Sequence, residues 1–240
     1  MAKYKRVLLK ISGEFLAGNG TGKVLSADIL KDFAKSVKDL HDAGVDVAIV
    51  VGAGNIFRGR EASEVGLERC NADYMGMLGT MINALALQDV LEATGLDTRV
   101  QTALEIDRVA EPYIRRKAIS HLNKGRVIIF GGGTGNPFFS TDTCAALRAA
   151  EIGADLLMMA KNGVEGVYDK DPRTNKDAKL FKKLTHSEVL AKNLQVMDNT
   201  AATLCYNNDI DIVVFNMNDM NNILRVVNGE DIGTHISKGE

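Results

Sequence analysis

Short strand-like runs alternate with amphipathic, helix-like runs along almost the whole chain. Residues 5–11, 46–51 and 126–130 are rich in apolar, often β-branched side chains, as buried strands are. Helical spacing of apolar residues separates them, most clearly from Ser26 to Gly44 and over residues 71–93. Strands joined through helices lie parallel, and the helices then cover both faces of the sheet. The sequence therefore predicts the α/β class, as a three-layer, doubly wound domain with a mostly parallel central sheet.

The same alternation continues through the second half of the chain. Pro112 suits the first turn of a helix that ends before Gly125. Residues 161–176 form a polar connection that is longer than most loops, and loops of this length are commonly functional. The remaining predicted elements are strands at 99–102, 155–159 and 212–215, a final edge strand at 233–237, and helices at 144–152, 187–191, 200–207 and 222–227.

Residues 131–142 form the most distinctive loop, between a predicted strand and a predicted helix. Four glycines in this loop let a backbone approach an anion closely. Ser140, Thr141 and Asp142 lie at the start of the following helix, where free amides and the helix dipole favour phosphate. A turn followed by an ordinary helix cap explains any one of these residues equally well.

Two more glycine turns, Ser12-Gly13 and residues 52–59, follow the first two predicted strands. Because parallel strands place their carboxyl ends along one edge, the three turns should line one crevice, where two phosphate-bearing ligands could meet. Neither common nucleotide motif fits. Val24 stands where a P-loop requires Ser or Thr, and Phe57 replaces the third glycine of the dinucleotide fingerprint.

Charged residues near this edge predict phosphoryl transfer. Lys10 lies in the apolar end of the first strand, where its charge is costly unless it is matched, although the side chain could also extend to the surface. Arg58 adds a second cation suited to phosphate oxygens. Asp142 and Asp198 could orient these cations, hold Mg²⁺ or simply cap helices. Phosphoryl transfer requires mainly positioning and charge neutralisation from such groups.

The composition limits the classes of partner that this chain is expected to bind and the compartment in which it is expected to work. The chain has 29 basic and 31 acidic residues, so its net charge of −2 gives no general reason to expect nucleic acid or an anionic membrane as partner. Cys70, Cys144 and Cys205 lack the spacing of a zinc site, which favours a reducing cytoplasm. No apolar run reaches the length of about 18 residues that a membrane span needs.

Five segments together resemble one family, the bacterial uridylate kinases (UMP kinases) of the amino-acid-kinase fold. The resemblance extends in order over nearly the whole chain, and the Gly-Asn-Pro-Phe-Phe and Asp-x-Met-Gly-Met motifs are the most specific parts. The five segments are residues 4–14, 51–59, 72–78, 134–142 and 196–198.

The resemblance implies transfer of the γ-phosphoryl group of ATP to UMP with Mg²⁺, giving UDP and ADP, in a cytoplasmic homohexamer that serves pyrimidine nucleotide biosynthesis. It implies a single domain over residues 1–240, with an acceptor part at roughly 1–150, an ATP part at roughly 151–240, and residues 10–13 and 52–58 shared. GTP and UTP are allosteric effectors in this family. Residues 19–25 and Gln88 depart from the family pattern linked to GTP, which puts activation by GTP in doubt and, with it, inhibition by UTP.

Matching positions give expected roles to individual residues. The residues implied in catalysis are Lys10, Arg58, Asp142 and Asp198, with Mg²⁺ carried by the nucleotide and no metal ligand from the protein. The residues implied in ATP binding are Lys10, Ile11, Ser12, Gly13, Gly54, Arg58, Asn162, Tyr168 and Asp171. The residues implied in UMP binding are Ala53, Asp73, Thr134, Gly135, Asn136, Pro137, Phe138, Phe139, Ser140 and Thr141.

Two other functions stay open on the sequence. A kinase of the same fold could phosphorylate a carboxylate or a carbamate, since fold does not fix function. The second is a nucleotide sensor without catalytic activity, although a protein that only binds nucleotides has no need of cations at the transferred group. Ala53 replaces a usual glycine, and a backbone contact there survives only if its φ angle is negative.

Overall fold

The protein is seen in a computed structural model that describes residues 2–18, 23–58, 66–194 and 196–239. Within these ranges a nine-stranded sheet has the order β4-β3-β5-β2-β1-β6-β10-β11-β9. Its strands are β1 Arg6–Ile11, β2 Asp46–Val51, β3 Thr98–Thr102, β4 Glu111–Pro112, β5 Val127–Gly131, β6 Leu156–Lys161, β9 Lys183–Thr185, β10 Ile212–Asn216 and β11 Thr234–Ser237. A separate antiparallel pair is formed by β7 Val167–Tyr168 and β8 Leu180–Phe181.

Eight helices lie in the described ranges. They are α1 Gly13–Ala17, α2 Ala27–Asp42, α3 Arg69–Glu92, α4 Arg115–Leu122, α5 Thr141–Ile152, α6 His186–Ala191, α7 Asn199–Asn207 and α8 Asn221–Val227. None of these helices combines the length and the apolar character that crossing a bilayer requires.

The sheet is mostly parallel and has a hydrophobic core on each face. In the nine-stranded sheet only the β10–β11 pairing is antiparallel. Leu9 and Ile11 of β1 belong to one core with α2, α3 and α8, whereas Leu8 belongs to the other with α4, α5, α6 and α7. Alternate residues of a strand point to opposite faces, which explains the division. The predicted three-layer α/β fold is confirmed.

Several local predictions were wrong. Pro112 lies in the edge strand β4, and the helix begins only at Arg115. An edge strand tolerates proline because the missing N–H would face away from the sheet. The strand predicted at the sheet edge near residues 233–237 is β11, which lies between β10 and β9. The short elements α1, β7, β8 and β9 were missed because so few residues carry no clear periodicity.

Candidate active site

The three glycine turns, called first, second and third in chain order, meet at the carboxyl ends of β1, β2 and β5. A Cβ atom on Gly13 would lie only 2.2 Å from Oδ1 of Asn55 and 2.7 Å from the carbonyl oxygen of Gly52. A Cβ atom on Gly52 would lie 3.4 Å from Oγ1 of Thr141, at the start of α5. The first turn therefore packs directly on the second, and the second reaches the third.

Asn83 of α3 holds the second turn from behind, a contact that sequence reasoning missed. Its fully buried side chain donates to the carbonyl oxygen of Gly52 at 2.7 Å and exchanges hydrogen bonds with the side-chain amide of Asn55. Ala53, between these residues, is not among the residues with positive φ. Its methyl group therefore causes no strain in the turn.

A cavity of about 730 Å³ opens between the second turn, the first half of α3 and the loop before α5. This volume lies in the range of small-molecule sites, which is roughly 300–1,000 Å³. Gly135 and Pro137 belong to the same loop but do not line the cavity. The residues expected to bind the acceptor that do line it are Ala53, Asp73, Thr134, Asn136, Phe138, Phe139, Ser140 and Thr141.

Asp73 connects α3 to the loop that carries the two phenylalanines. Its carboxylate accepts a hydrogen bond from the backbone N–H of Phe138 at 2.7 Å and from Nε of Arg69 at 2.9 Å. The guanidinium of Arg69 also lies over the ring of Phe138, 5.7 Å from its centroid. Phe138 is 65% exposed and Phe139 is 50% exposed, so both rings offer apolar surface beside the cavity. Such surface suits a planar base.

Lys10 is buried and ion-paired. It is only 9% exposed, and its Nζ lies 2.7 Å from Oδ1 of Asp142. Asp142 stands in the first turn of α5, where a carboxylate is favoured by the helix dipole. The burial of the lysine is thus compensated by a carboxylate that also fixes the direction of its ammonium group. The pair lies near the carboxyl end of β1, the central strand of the nine-stranded sheet.

Asp198 joins the N-termini of α5 and α7. Its carboxylate accepts from the backbone N–H of Ala201 at 3.0 Å, from the hydroxyl of Thr143 at 3.0 Å and from the hydroxyl of Ser140. Burial raises the pKa of Asp198, but these hydrogen bonds to its charged form outweigh burial, so the net pKa lies below the ordinary value. Asp198 therefore acts as a helix cap that also holds Ser140 in the cavity wall.

We expect Asp198→Ala to destabilise the fold by about 1–2 kcal/mol at pH 7, the usual cost of losing an N-cap. Because the pKa of Asp198 is lowered on folding, its carboxylate stabilises the fold above the unfolded pKa, and this contribution is lost as the pH falls through the folded pKa. Urea unfolding at pH values from 7 down to 3 should show the difference in unfolding free energy between Asp198→Ala and the wild type becoming smaller. Asp32→Ala, at an exposed site on α2, is the matched control. A difference in unfolding free energy that does not change with pH would contradict the role of the Asp198 carboxylate as a helix cap.

Arg58 lies at the lip of the cavity and is paired with Glu14, which the sequence did not single out. Nη2 of Arg58 lies 2.8 Å from Oε1 of Glu14, and both side chains are about half exposed. An ion pair this exposed contributes only about 0–1 kcal/mol. Arg58 can therefore exchange Glu14 for a phosphate at little cost.

The three expected ATP-binding residues of the polar connection, Asn162, Tyr168 and Asp171, lie on the other side of β1. Asn162 directly follows β6 and lines a small cavity of about 190 Å³ with Phe15 and Met217. Tyr168 lies in β7, and the Asp171 carboxylate accepts from the backbone N–H of Arg173 at 2.9 Å. Since β1 stands between β2 and β6, the strand that carries Lys10 separates this group from the 730 Å³ cavity.

The remaining residues expected to bind ATP lie at the end of β1 and in the first two glycine turns. Ile11 is fully buried, so only its main chain is available at the sheet edge. The hydroxyl of Ser12 accepts from the backbone N–H of Phe15 at 3.3 Å and so caps α1. Gly54 lies against Glu14, because a Cβ atom at this glycine would be 3.1 Å from Oε1 of that glutamate. These turns present main-chain groups at the edge of the sheet, as anion-binding loops do.

Glycine turns and a buried lysine at one edge of a parallel sheet are the features expected of a phosphate-binding site. A profile of the amino acid kinase family matches residues 5–216. The chain belongs to this family. Within it the chain belongs with the uridylate kinases. It is 58% identical to the uridylate kinase of Limosilactobacillus reuteri, over 98% of this chain and 97% of that protein. It is 55% identical to that of Pediococcus pentosaceus, over 99% and 98%.

The fold agrees with this assignment. The crystal structure of a UMP kinase from Bacillus anthracis superposes with a TM-score of 0.96 at 43% sequence identity, and the match covers 99% of this chain and 97% of that one. The resemblance inferred from the five sequence segments is therefore confirmed.

Proposed function

We propose that the protein transfers the γ-phosphoryl group of ATP to UMP, giving UDP and ADP in pyrimidine nucleotide biosynthesis. The observation that carries this proposal is the buried Lys10–Asp142 pair, at the strand end between the acceptor cavity and the predicted ATP segment. The high identity to uridylate kinases over the full chain supports it.

The 730 Å³ cavity is the proposed UMP site. The exposed rings of Phe138 and Phe139 would lie against uracil, and Asp73 would contact the ribose or the base. Ser140 and Thr141 at the start of α5 would face the acceptor phosphate, since a helix N-terminus is a favourable place for an anion. The acceptor part of the domain would then be roughly residues 1–150.

ATP is proposed to extend across the end of β1, from the far side, where its adenosine would bind, to Gly54 and Arg58 at the cavity. Residues 10–13, Gly54 and Arg58 would hold its phosphates, and Asn162, Tyr168 and Asp171 its adenosine, within an ATP part at roughly residues 151–240. Mg²⁺ would enter with the nucleotide as MgATP and would neutralise part of the phosphate charge. In the part of the chain that the structure describes, no group of three His, Cys, Asp or Glu side chains is placed to ligate a metal. The carboxylate of Asp142 is paired with Lys10, which fits a metal held by the nucleotide.

The proposed mechanism needs no general base from the protein. A phosphate monoester has its second pKa near roughly 6, so the UMP phosphate is mostly a dianion at neutral pH and is already nucleophilic. The protein contributes by aligning the two phosphates and by placing cations where negative charge accumulates. Lys10, fixed by Asp142, is the cation placed at the transferred group.

An acceptor panel tests the proposal. The purified chain is incubated with ATP, Mg²⁺ and, separately, UMP, CMP, acetylglutamate and carbamate, and ADP release is measured. We expect rapid turnover with UMP and little with the others. Preferred turnover of acetylglutamate or carbamate would instead establish the carboxylate or carbamate kinase alternative, and nucleotide binding without any turnover would establish the sensor.

The proposal includes a cytoplasmic location and assembly into a homohexamer. The surface of α3 that faces away from the core carries the exposed side chains of Tyr74, Met75, Leu78 and Ile82. No charged residue occurs between Asp73 and Asp89 of this helix. An apolar face without charges on a 24-residue helix is typical of a surface covered by a second copy of the same chain.

We therefore expect Ile82→Glu to reduce the assembly size, because the new charge would be buried against the apolar face of the neighbouring copy. Sedimentation velocity measures the change directly, and Lys31→Glu at an exposed site on α2 serves as the control. A wild-type chain that sediments as a monomer, or an Ile82→Glu variant that keeps the wild-type size, would contradict the proposed interface.

The resemblance implies GTP and UTP as effectors, and the departures at residues 19–25 and Gln88 leave activation by GTP and inhibition by UTP open. Gln88 donates from Nε2 to the carbonyl oxygen of Thr98 and to Oε1 of Glu92, both at 3.3 Å. The other departing segment, residues 19–25, lies partly outside the described residues, since the structure does not describe positions 19–22. Initial rates against UMP, with and without GTP and UTP, measure both effects.

A further inference from the structure

Arg69 is the first residue of α3 and lines the acceptor cavity, but neither the sequence motifs nor the proposed mechanism gives it a role. Its Nε donates to both carboxylate oxygens of Asp73 at 2.9 Å, and its guanidinium lies 5.7 Å from the centroid of the Phe138 ring. The same carboxylate accepts the backbone N–H of Phe138 at 2.7 Å. Arg69 therefore touches both partners of the hydrogen bond that joins α3 to the loop.

Phe138 needs such support because its backbone conformation is unfavourable. Its φ angle is 71°, and among the described non-glycine residues only Asn193 and Asp209 also have a positive φ. Short polar side chains such as those of asparagine and aspartate tolerate this region, whereas a bulky phenylalanine adopts it at a cost in energy. A residue in such a conformation persists only where the surrounding structure holds it in place.

The third turn, residues 131–142, is attached to α3 at two points. Near its start the backbone N–H of Gly132 donates to the hydroxyl of Thr80 at 2.9 Å, and further along Phe138 donates to Asp73. Thr80 is buried and is fixed by the packing around it. The carboxylate of Asp73 is instead fixed by its ion pair with Arg69, so the second attachment depends on that arginine.

This ion pair differs from an ordinary i,i+4 pair on a helix surface, which contributes little. The side chain of Asp73 is only 16% exposed, although that of Arg69 is 63% exposed. The guanidinium over the Phe138 ring adds a cation–π contact to the pair. Loss of the arginine should therefore disturb the wall of the cavity more than the fold as a whole.

We propose that Arg69 is a positioning residue for the acceptor nucleotide. It acts through Asp73 and Phe138 and keeps this part of the cavity wall in the shape that receives the nucleoside of UMP. The inference rests on the proposed function. A wall that is ordered before binding loses less conformational freedom when the ligand enters, which raises affinity without a further contact. Since Asp73 and Phe138 belong to the expected UMP-binding residues and not to those expected to bind ATP, the effect should be confined to the acceptor.

The test compares Arg69→Gln and Arg69→Lys with the wild type by steady-state kinetics and by isothermal titration with UMP. For Arg69→Gln we expect KM and Kd for UMP to rise about tenfold, the order expected from losing one hydrogen bond to a charged group. The values of kcat and of KM for ATP should stay near those of the wild type. Arg69→Lys should recover part of the UMP affinity, because it keeps a cation beside the carboxylate and the ring. Lys38→Gln, which breaks the i,i+4 pair of Lys38 with Asp42 on α2, is the matched control and should behave as wild type.

A double variant separates action through Asp73 from an independent contact with UMP. Asp73→Ala removes the carboxylate that Arg69 holds, so adding Arg69→Gln to this variant should weaken UMP binding little further. Losses of UMP affinity that multiply, an equal rise in KM for ATP, or an unchanged Kd for UMP in Arg69→Gln would overturn the role of Arg69. A wild-type chain that binds UMP without phosphorylating it would instead contradict the proposed function, and the titrations would still measure the role of Arg69.

Discussion

Replacing Lys10 with alanine should lower kcat for the transfer from ATP to UMP by about 100-fold to 1,000-fold, the effect expected when one preorganised charge is removed. UMP affinity should change little, because Lys10 is not among the residues that line the acceptor cavity. Steady-state kinetics and isothermal titration with UMP measure the two quantities separately. An unchanged kcat would remove Lys10 from the mechanism.

The same substitution should also destabilise the protein, and a second variant separates the two effects. The side chains of Lys10 and Asp142 are only 11% and 18% exposed, so alanine at position 10 leaves a carboxylate in a poorly solvated place. The double variant Lys10→Met/Asp142→Asn removes both charges and should recover much of the stability. Its kcat should stay low, and recovery of the rate would show that stability alone explains the single variant.

Gly13→Ala is expected to have the second large effect, because the first two glycine turns touch at this residue. The new Cβ would lie 2.2 Å from Oδ1 of Asn55, 2.7 Å from the carbonyl oxygen of Gly52 and 2.9 Å from the backbone nitrogen of Gly54. Two of these three atoms belong to the backbone, so they cannot move aside as the end of a side chain can. Overpacking of this kind costs about 1–3 kcal/mol. We also expect kcat/KM for ATP to fall, since both turns are proposed to hold its phosphates.

Gly76→Ala is the control for stability. Gly76 lies in the first half of α3, and a Cβ there meets nothing within 4 Å apart from its chain neighbours and the backbone of its own helix. Alanine there should stabilise the helix by about 1 kcal/mol. Urea unfolding of both variants measures the difference, and a Gly13→Ala protein as stable as wild type would contradict the close contact of the turns.

The sequence predicted the parallel α/β architecture because most main strands carry a continuous apolar run and the helices between them, most clearly α2, have a 3.6-residue pattern of apolar residues. It failed for elements of two to five residues and for Pro112, since short segments take their conformation from the elements packed beside them. The position of β11 inside the sheet could not be predicted either. The position of β11 depends on its pairing with β9, a strand of only three residues that is distant from β11 in the sequence.

At the site, glycine turns and one buried lysine were sufficient to locate the crevice. Asn83 and Glu14 were missed because their contacts depend on how α3 and α1 pack against the second turn. Arg69 was missed because its i,i+4 pairing with Asp73 resembles an ordinary surface pair.

Transfer of label from [γ-³²P]ATP is the most direct test of the account. The chain is incubated with labelled ATP, Mg²⁺ and UMP, and the products are separated and counted. Direct transfer between two bound nucleotides predicts that the label appears in the β-phosphate of UDP, one for each ADP released. Label found only in inorganic phosphate, with no labelled UDP, would contradict the proposal that ATP and UMP meet at Lys10.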